Sequence, residues 1–357
     1  MKRLASLRGA MRAQGMGVLL VTGTANRRYL SGFTGSAGSL LVTEDRAFLI
    51  TDFRYLEQAA AQAPGWELVR QEGKLADVLR PLLSEQGMRE LCFEKDHLTY
   101  AQYEALSGIE DCHLRPAGGL VEKLRLAKDE GELEAIARAA ALTDAAVAYA
   151  WGIMKPGMTE QELALELEYY MRRRAAERAA FDIIVVSGPR TSLPHGHPGP
   201  RQIQRGDFVT MDLGCTVDGY CSDLTRTVVV GKADARQREI YRLVLEAQET
   251  GLQAIRAGRK GSEVDAEARK VIEEAGYGEH FGHGLGHGVG LEVHEGPVLS
   301  PRAAGPDEPE LKPGMVVTVE PGVYIPDWGG VRIEDLVVVQ EEGARVLSRA
   351  DKQLLEL

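Results

Sequence analysis

Cysteine is scarce: the 357 residues hold only Cys92, Cys112, Cys215 and Cys221, and no two of them form a Cys-x-x-Cys pair. A disulfide scaffold and a zinc knuckle are thereby excluded, and four free thiols fit a reducing compartment such as the cytoplasm. Long apolar runs are absent as well. None reaches the ~18 residues that span a bilayer. Met1-Lys2-Arg3 is basic, but Arg8 and Arg12 interrupt the segment behind it and Gly17–Val21 is short, so no signal peptide is expected. Positive charge is in deficit, with 42 Lys and Arg against 53 Asp and Glu and a net charge of −11. Such a balance argues against nucleic acid as the main partner. At roughly 150 residues per domain the length predicts two domains. The 44% hydrophobic content is enough to give each a core.

Residues 1–119 alternate between two periodicities. Val18–Val21, Leu40–Thr43, Ala47–Thr51, Glu67–Val69 and Leu91–Phe93 read as strands. Phe53–Gln62, Leu75–Gln86 and Tyr100–Leu106 read as helices, which predicts an α/β domain with a parallel or mixed sheet. Pro116-Ala-Gly-Gly119 reads as a linker. Residues 120–357 differ in character. Lys128–Trp151 carries a helical stripe that Lys155-Pro-Gly157 ends, and Thr159 opens a second helix with Glu162 at the capping-box position. About 100 residues later Glu239–Ile255 and Ser262–Glu274 repeat the arrangement, as two related halves or as an ordinary recurrence of helix pairs. Asp207–Val230 reads as a hairpin around Asp218-Gly219, and Met315–Tyr324 with Val331–Gln340 as another around Asp327-Trp-Gly-Gly330. The second domain is therefore expected to be α+β with an antiparallel sheet.

Both hairpins place carboxylates inside apolar strands. A two-residue loop at Asp218-Gly219 sets Asp212 opposite Thr225 and makes Asp223 its diagonal neighbour on the same face. Two close carboxylates repel, which calls for a cation or a shared proton unless the face is solvated. Glu320, held extended by Pro321, and Glu334 repeat the pattern in the second hairpin. Between the hairpins runs His283-Gly-Leu-Gly-His287-Gly-Val-Gly-Leu-Glu-Val-His294, whose glycines let backbone pack closely. Three imidazoles beside four strand carboxylates fit a metal site better than three structural histidines. Ser192-Leu-Pro-His195-Gly-His197 adds two more, of which His197, like His280, reads as structural or exposed. Cys215 and Cys221 flank the first hairpin without an apparent base and read as small buried thiols.

These motifs resemble the pita-bread metallopeptidases, the M24-type group of methionine aminopeptidase, aminopeptidase P and prolidase. The ordered set Asp212, Asp223, His287, Glu320 and Glu334 matches that family's five metal ligands. Pro-His195-Gly, the His287–His294 run and Val-Arg332-Ile-Glu334-Asp resemble its Xaa-Pro-cleaving branch. Tyr29-Leu-Ser-Gly-Phe-Thr-Gly-Ser-Ala-Gly38 and Thr51-Asp-Phe-Arg-Tyr55 are similar to two-domain bacterial Xaa-Pro aminopeptidases. The resemblance implies a creatinase-like N-terminal α/β domain over residues 1–119 and a catalytic pita-bread (creatinase/aminopeptidase) α+β domain over residues 120–357. It also implies two divalent metal ions, Mn²⁺ first and Co²⁺ or Zn²⁺ next, since an oxygen-rich set suits a hard cation. Asp223 and Glu334 would bridge them, and a water between two cations would be hydroxide at neutral pH. By the same resemblance His195, His294 and Glu320 are catalytic, with Glu320 as proton shuttle and His294 at the oxyanion. His283, Arg332 and Tyr220 line the substrate pocket; an ordinary ion pair for Arg332 and strand packing for Tyr220 are the plain alternatives. The expected activity is removal of an N-terminal residue that precedes proline, by a cytoplasmic homodimer acting on peptides with proline second. The alternative is a prolidase restricted to Xaa-Pro dipeptides, which needs a cation for the proline carboxylate. Intact ligands argue against a creatinase or an inert binding module, and the extra N-terminal domain argues against a methionine aminopeptidase.

Overall fold

The computed structural model describes residues 2–357, which divide into two compact units, one ending at Arg125 and the other running Leu126–Leu357. The division falls after Arg125 rather than at the expected linker: Pro116 and Ala117 end a strand of the first unit's sheet, and a short helix at Leu120–Arg125 also belongs to that unit, its Leu124 carbonyl accepting from the Tyr29 hydroxyl and its Arg125 donating to Asn26.

In the first unit the elements run α1 (Lys2–Ala13), β1 (Val18–Val21), α2 (Thr24–Ser31), β2 (Ser39–Thr43), β3 (Ala47–Thr51) and α3 (Leu56–Gln62). They continue with β4 (Glu67–Arg70), α4 (Leu75–Glu85), β5 (Glu90–Glu94), α5 (Tyr100–Ser107), β6 (His113–Ala117) and α6 (Leu120–Arg125). The sheet order is β4-β3-β2-β1-β5-β6. It is mixed: β1–β2 and β2–β3 are antiparallel, the other pairs parallel. Every residue of β1, β2 and β3 is buried, as expected of strands covered on both faces. The Tyr29–Gly38 motif is structural. Buried Arg27 donates to the carbonyls of Gly35 and Gly38, and Thr51 Oγ1 donates to Ala37 O at 2.7 Å, so the loop is tied to the sheet.

The second unit opens with two helices, α7 (Glu130–Ile153) and α8 (Glu160–Arg172). Each begins with a complete capping box, Asp129 with Glu132 and Thr159 with Glu162, and Pro156 lies beyond the end of α7. Then come β7 (Arg178–Ala179), β8 (Ile184–Ser187), β9 (Phe208–Leu213), β10 (Cys215–Val217), β11 (Tyr220–Cys221) and β12 (Leu224–Val229). Helices α9 (Ala235–Ala254) and α10 (Gly261–Glu274) follow, with Asp234 and Gln237 boxing the first. The chain closes with β13 (Gly286–Gly288), β14 (Glu295–Leu299), β15 (Val316–Val319), β16 (Gly322–Ile325), β17 (Gly329–Arg332), β18 (Asp335–Val339) and β19 (Ala344–Val346). All pairings between these strands are antiparallel. Each helix pair has its own apolar core, Leu163, Leu167 and Met211 in one and Val244, Val264 and Val317 in the other, which fits the reading of two related halves. No helix among the described residues is long and apolar enough to cross a membrane.

Candidate active site

The first hairpin turns at Asp218-Gly219, both with positive φ (50° and 82°), as a two-residue loop of this hand requires. Val217 pairs with Tyr220, and the same register carries Asp212 opposite Thr225. The second hairpin behaves alike. Val319 pairs with Asp335 and Gly322 with Arg332, so Glu320 and Glu334 fall opposite one another where the ladder is interrupted. Pro321 has no N–H for that ladder, which helps to break it there. Between them, His287 lies on β13, paired with β14 on one side and β15 on the other. Its neighbours must be glycines. A Cβ on Gly286 would lie 2.1 Å from Thr318 O, and one on Gly288 2.0 Å from Gly296 O.

These elements bring the four carboxylates and His287 to one cavity of about 560 Å³. Asp212, Asp223 and Glu334 each place an oxygen within 4.8 Å of one another. His287 Nε2 stands 3.2 Å from Glu320 Oε1 and 3.6 Å from Asp223 Oδ2. Its Nδ1 lies 3.1 Å from Gly288 O. A carbonyl only accepts, so Nδ1 carries the hydrogen and Nε2 turns its lone pair toward two carboxylates. That is an unfavourable arrangement unless Nε2 is protonated or a cation lies between. Asp212 Oδ1 and Glu334 Oε1 are buried without a hydrogen-bond partner. A buried carboxylate oxygen is expensive to leave bare. Five convergent donors with orphaned oxygens are what divalent cations require, and the set fits them.

Electrostatics agree. Burial raises the Asp212 pKa against the pull of Arg332. Burial and then Glu334 push Asp223 well above its ordinary value, and burial and then Glu320 do the same to Glu334. Burial opposes ionisation of Glu320 and of His287 too, but their mutual hydrogen bond wins and holds Glu320 low and His287 high. Without cations the cluster must keep protons to persist.

A second layer of side chains fixes these groups. Arg332, 4% exposed, donates to Asp212 Oδ2 at 2.6 Å, Thr225 Oγ1 at 3.0 Å, Tyr324 Oη at 2.9 Å and Pro194 O at 3.2 Å. Tyr324 Oη in turn lies 2.9 Å from His283 Nε2. Thr225 Oγ1 donates to Glu334 Oε2 and Thr318 Oγ1 to Glu320 Oε1. The sequence reasoning missed Tyr324, Thr225 and Thr318. The signal was there: Thr225 is two residues from Asp223, Thr318 two from Glu320 and Tyr324 four, the spacings that share a strand face.

His195, His283, His294 and Arg332 line the cavity as expected, and so do His197, Phe181, Val298 and Arg302, which were not proposed. The His294 ring sits 4.1 Å from that of His287, centroid to centroid. Tyr220 must be withdrawn from the pocket. Its hydroxyl donates to Glu132 Oε1 at 2.7 Å, and it does not line the cavity. Three residues before Asp223, it points to the opposite face of the hairpin. His280 is structural, its Nδ1 3.0 Å from Tyr324 O.

Comparison with known proteins decides the family. Residues 134–341 match metallopeptidase family M24, and residues 3–127 match the creatinase/prolidase N-terminal domain. The chain belongs to metallopeptidase family M24. It is 45% identical over 356 residues to the uncharacterized peptidase YqhT of Bacillus subtilis (strain 168), covering 99% of this chain and 100% of that one. Among solved structures it resembles an Xaa-Pro dipeptidase from Bacillus anthracis, with 46% identity, a TM-score of 0.96 and coverage of 100% and 99%. It also resembles an X-Pro aminopeptidase from Thermotoga maritima MSB8, with 37% identity, a TM-score of 0.89 and coverage of 98% and 100%. The fold is thus a creatinase N-terminal domain followed by the pita-bread domain, and the protein is a metal-dependent hydrolase.

Proposed function

We propose that this M24 member hydrolyses the Xaa-Pro bond of dipeptides. The observation that carries the reading is end-to-end similarity, at 46% identity, to a protein described as an Xaa-Pro dipeptidase. It displaces the broader aminopeptidase expected from the sequence, although the likeness to an X-Pro aminopeptidase at 37% identity keeps that as the second reading. Asp212, Asp223, His287, Glu320 and Glu334 would hold two divalent ions, with Mn²⁺ the best match to an oxygen-rich set. When bound, such ions lower the pKa of a water and polarise the scissile carbonyl.

The remaining work falls to the chain. Glu320 accepts a proton from the attacking water on a carboxylate oxygen and returns it to the proline nitrogen, which has no hydrogen of its own. His294, beside His287, donates to the oxyanion that develops on the carbonyl. His195, on the loop that Arg332 grips through Pro194 O, contacts the substrate. Arg332 positions Asp212, and Tyr324 ties Arg332 to His283. A homodimer in the cytoplasm follows from the family resemblance, and the four unpaired thiols fit that compartment.

The test is hydrolysis, with Mn²⁺ supplied, of one Xaa-Pro dipeptide and of the same peptide extended at its C-terminus. A dipeptide cut at least tenfold faster supports the dipeptidase. Comparable rates support the aminopeptidase. No cleavage of either, with metal bound, refutes both.

A further inference from the structure

Little apolar burial holds His195 in place. Its loop follows a 3-10 turn at Gly188–Ser192, and the large apolar side chain of that loop, Leu193, is 48% exposed. His195 itself is exposed at the cavity wall. Polar ties to the backbone on either side do the holding. Before His195, Arg332 Nη1 donates to Pro194 O; after it, Arg190 Nη2 donates to His197 O at 2.6 Å. Arg332 also grips Asp212. Arg190 does not line the cavity, and its other partner is Glu160.

Glu160 opens α8 and is fully buried, yet it is not part of the catalytic cavity. A carboxylate is costly to bury unless donors surround it. The donors here all come from one stretch of chain. Oε1 accepts from Ser187 N and Ser187 Oγ, both at 2.8 Å, and Oε2 accepts from Arg190 Nε and Gly199 N, both at 3.1 Å. Ser187 ends β8 and pairs with Val209 on β9, in the ladder where Ile184 lies opposite Asp212. One carboxylate oxygen is thus fixed on the strand framework that carries a candidate metal ligand. The other holds the His195 loop from both ends, through Arg190 ahead of it and Gly199 behind.

We propose that Glu160, acting through Arg190 and Gly199, is the positioning residue that sets His195 at the substrate. This rests on the Xaa-Pro reading above and on the substrate contact given there to His195. Glutamine has the size for the position but not the acceptors. Whichever way its amide turned, the donors on one side would meet an NH2 group. The loop would then be in place for only part of the time, and substrate affinity would fall by that fraction.

The experiment is Ala-Pro hydrolysis with Mn²⁺ by wild type, Glu160→Gln, Arg190→Met, His195→Ala and each of the first two combined with His195→Ala. Glu160→Gln and Arg190→Met should each raise KM roughly three- to tenfold, as for a loop in place about a third to a tenth of the time, with kcat changed less. Bound Mn²⁺ should not change, since none of the candidate ligands lies on the loop. In the His195→Ala background neither substitution should add more than about twofold, because the group it positions is gone. In the metal-free protein, hydrogen exchange should rise over residues 193–199 and stay at the wild-type level along β9. If Glu160→Gln does not fold, Arg190→Met carries the test, since that side chain is 37% exposed and leaves Glu160 its other donors. A full KM effect on top of His195→Ala assigns the loss to the fold and overturns the proposal. So do an unchanged KM, unchanged exchange over the loop, or a His195→Ala variant that matches wild type. A metal-loaded wild type that leaves Ala-Pro intact overturns the Xaa-Pro reading and the positioning role with it, an outcome distinct from all of these.

Discussion

Arg332→Met should cost far more in the metal-free protein than in the loaded one. Arg332 is 4% exposed, a buried arginine among four carboxylates at one cavity. Its charge offsets one of their four, and its Nη2 is 2.6 Å from Asp212. Methionine keeps much of the volume and loses the charge and all four donors. Removing one partner of a buried ion pair costs about 3–5 kcal/mol, because the other charge is left uncompensated. For a unit of this size each kcal/mol moves the melting temperature by about 2–4 °C, so the metal-free variant should melt roughly 6–20 °C lower.

Divalent cations change the reference state. They neutralise the same carboxylates, so Asp212 no longer depends on Arg332 alone. The stabilisation gained on adding Mn²⁺ should be larger in the variant than in wild type, and the gap between the two proteins should shrink by at least half. The assay is a pair of thermal melts for each protein, after chelation and after reloading. Equal gaps in both states would refute the argument that Arg332 acts as a resident countercharge. A metal-free loss under about 2 °C would refute the magnitude.

Three further outcomes can be read directly. Glu320→Gln keeps an oxygen for a cation but loses the proton acceptor, so kcat should fall roughly 10²–10⁴-fold in enzyme shown to hold its metal, and a variant within tenfold of wild type would take Glu320 out of the proton path. Gly288→Ala would set a Cβ 2.0 Å from Gly296 O, so urea denaturation should show a loss of about 1–3 kcal/mol or more, and unchanged stability would mean that β13 and β14 separate freely. In the first unit burial opposes ionisation of Glu122, but hydrogen bonds from Asn26 and His97 prevail and hold its pKa below the ordinary 4.5. A depressed carboxylate stabilises above its unfolded pKa and loses that contribution as pH falls through the folded one. Glu122→Gln should therefore cost up to about 1 kcal/mol at pH 7, discounted because the side chain is partly exposed, and the difference should vanish on acidification. A gap that does not change with pH would assign the effect to packing.

Much of the fold was legible because its strongest signals are local. The strands at Val18–Val21 and Ala47–Thr51, the capping box at Thr159 and Glu162, and the Asp218-Gly219 turn depend on neighbours in sequence. Helices α1 and α2 were missed for the opposite reason. Helix α1 buries only Leu7 and Met11, too few for a periodic stripe. Helix α2 buries Asn26 and Arg27, whose partners include Glu94 and Gly35 and lie elsewhere in the unit. Propensity does not foresee such tertiary satisfaction of polar groups.

The site was legible through a conflict rather than a preference. A carboxylate in an apolar strand contradicts its surroundings, and contradictions of that kind gather where function outweighs stability. The structure adds where in a hairpin the conflict can be held. Regular pairing runs as far as Val319 with Asp335, resumes at Gly322 with Arg332, and leaves Glu320 and Glu334 in the gap. The first hairpin breaks in the same way. Leu213 pairs with Leu224, Thr216 with Cys221, and Asp223 lies in the interruption near Gly214. A Cβ on Gly214 would lie 2.0 Å from Ser222 O, so glycine permits that crossing as Pro321 marks the other. At these breaks the backbone passes from one sheet to the next. The same interruption that frees a carboxylate to reach a cation also lets two hairpins converge on one cavity. A sequence reading that sought only good strands would have discarded both positions.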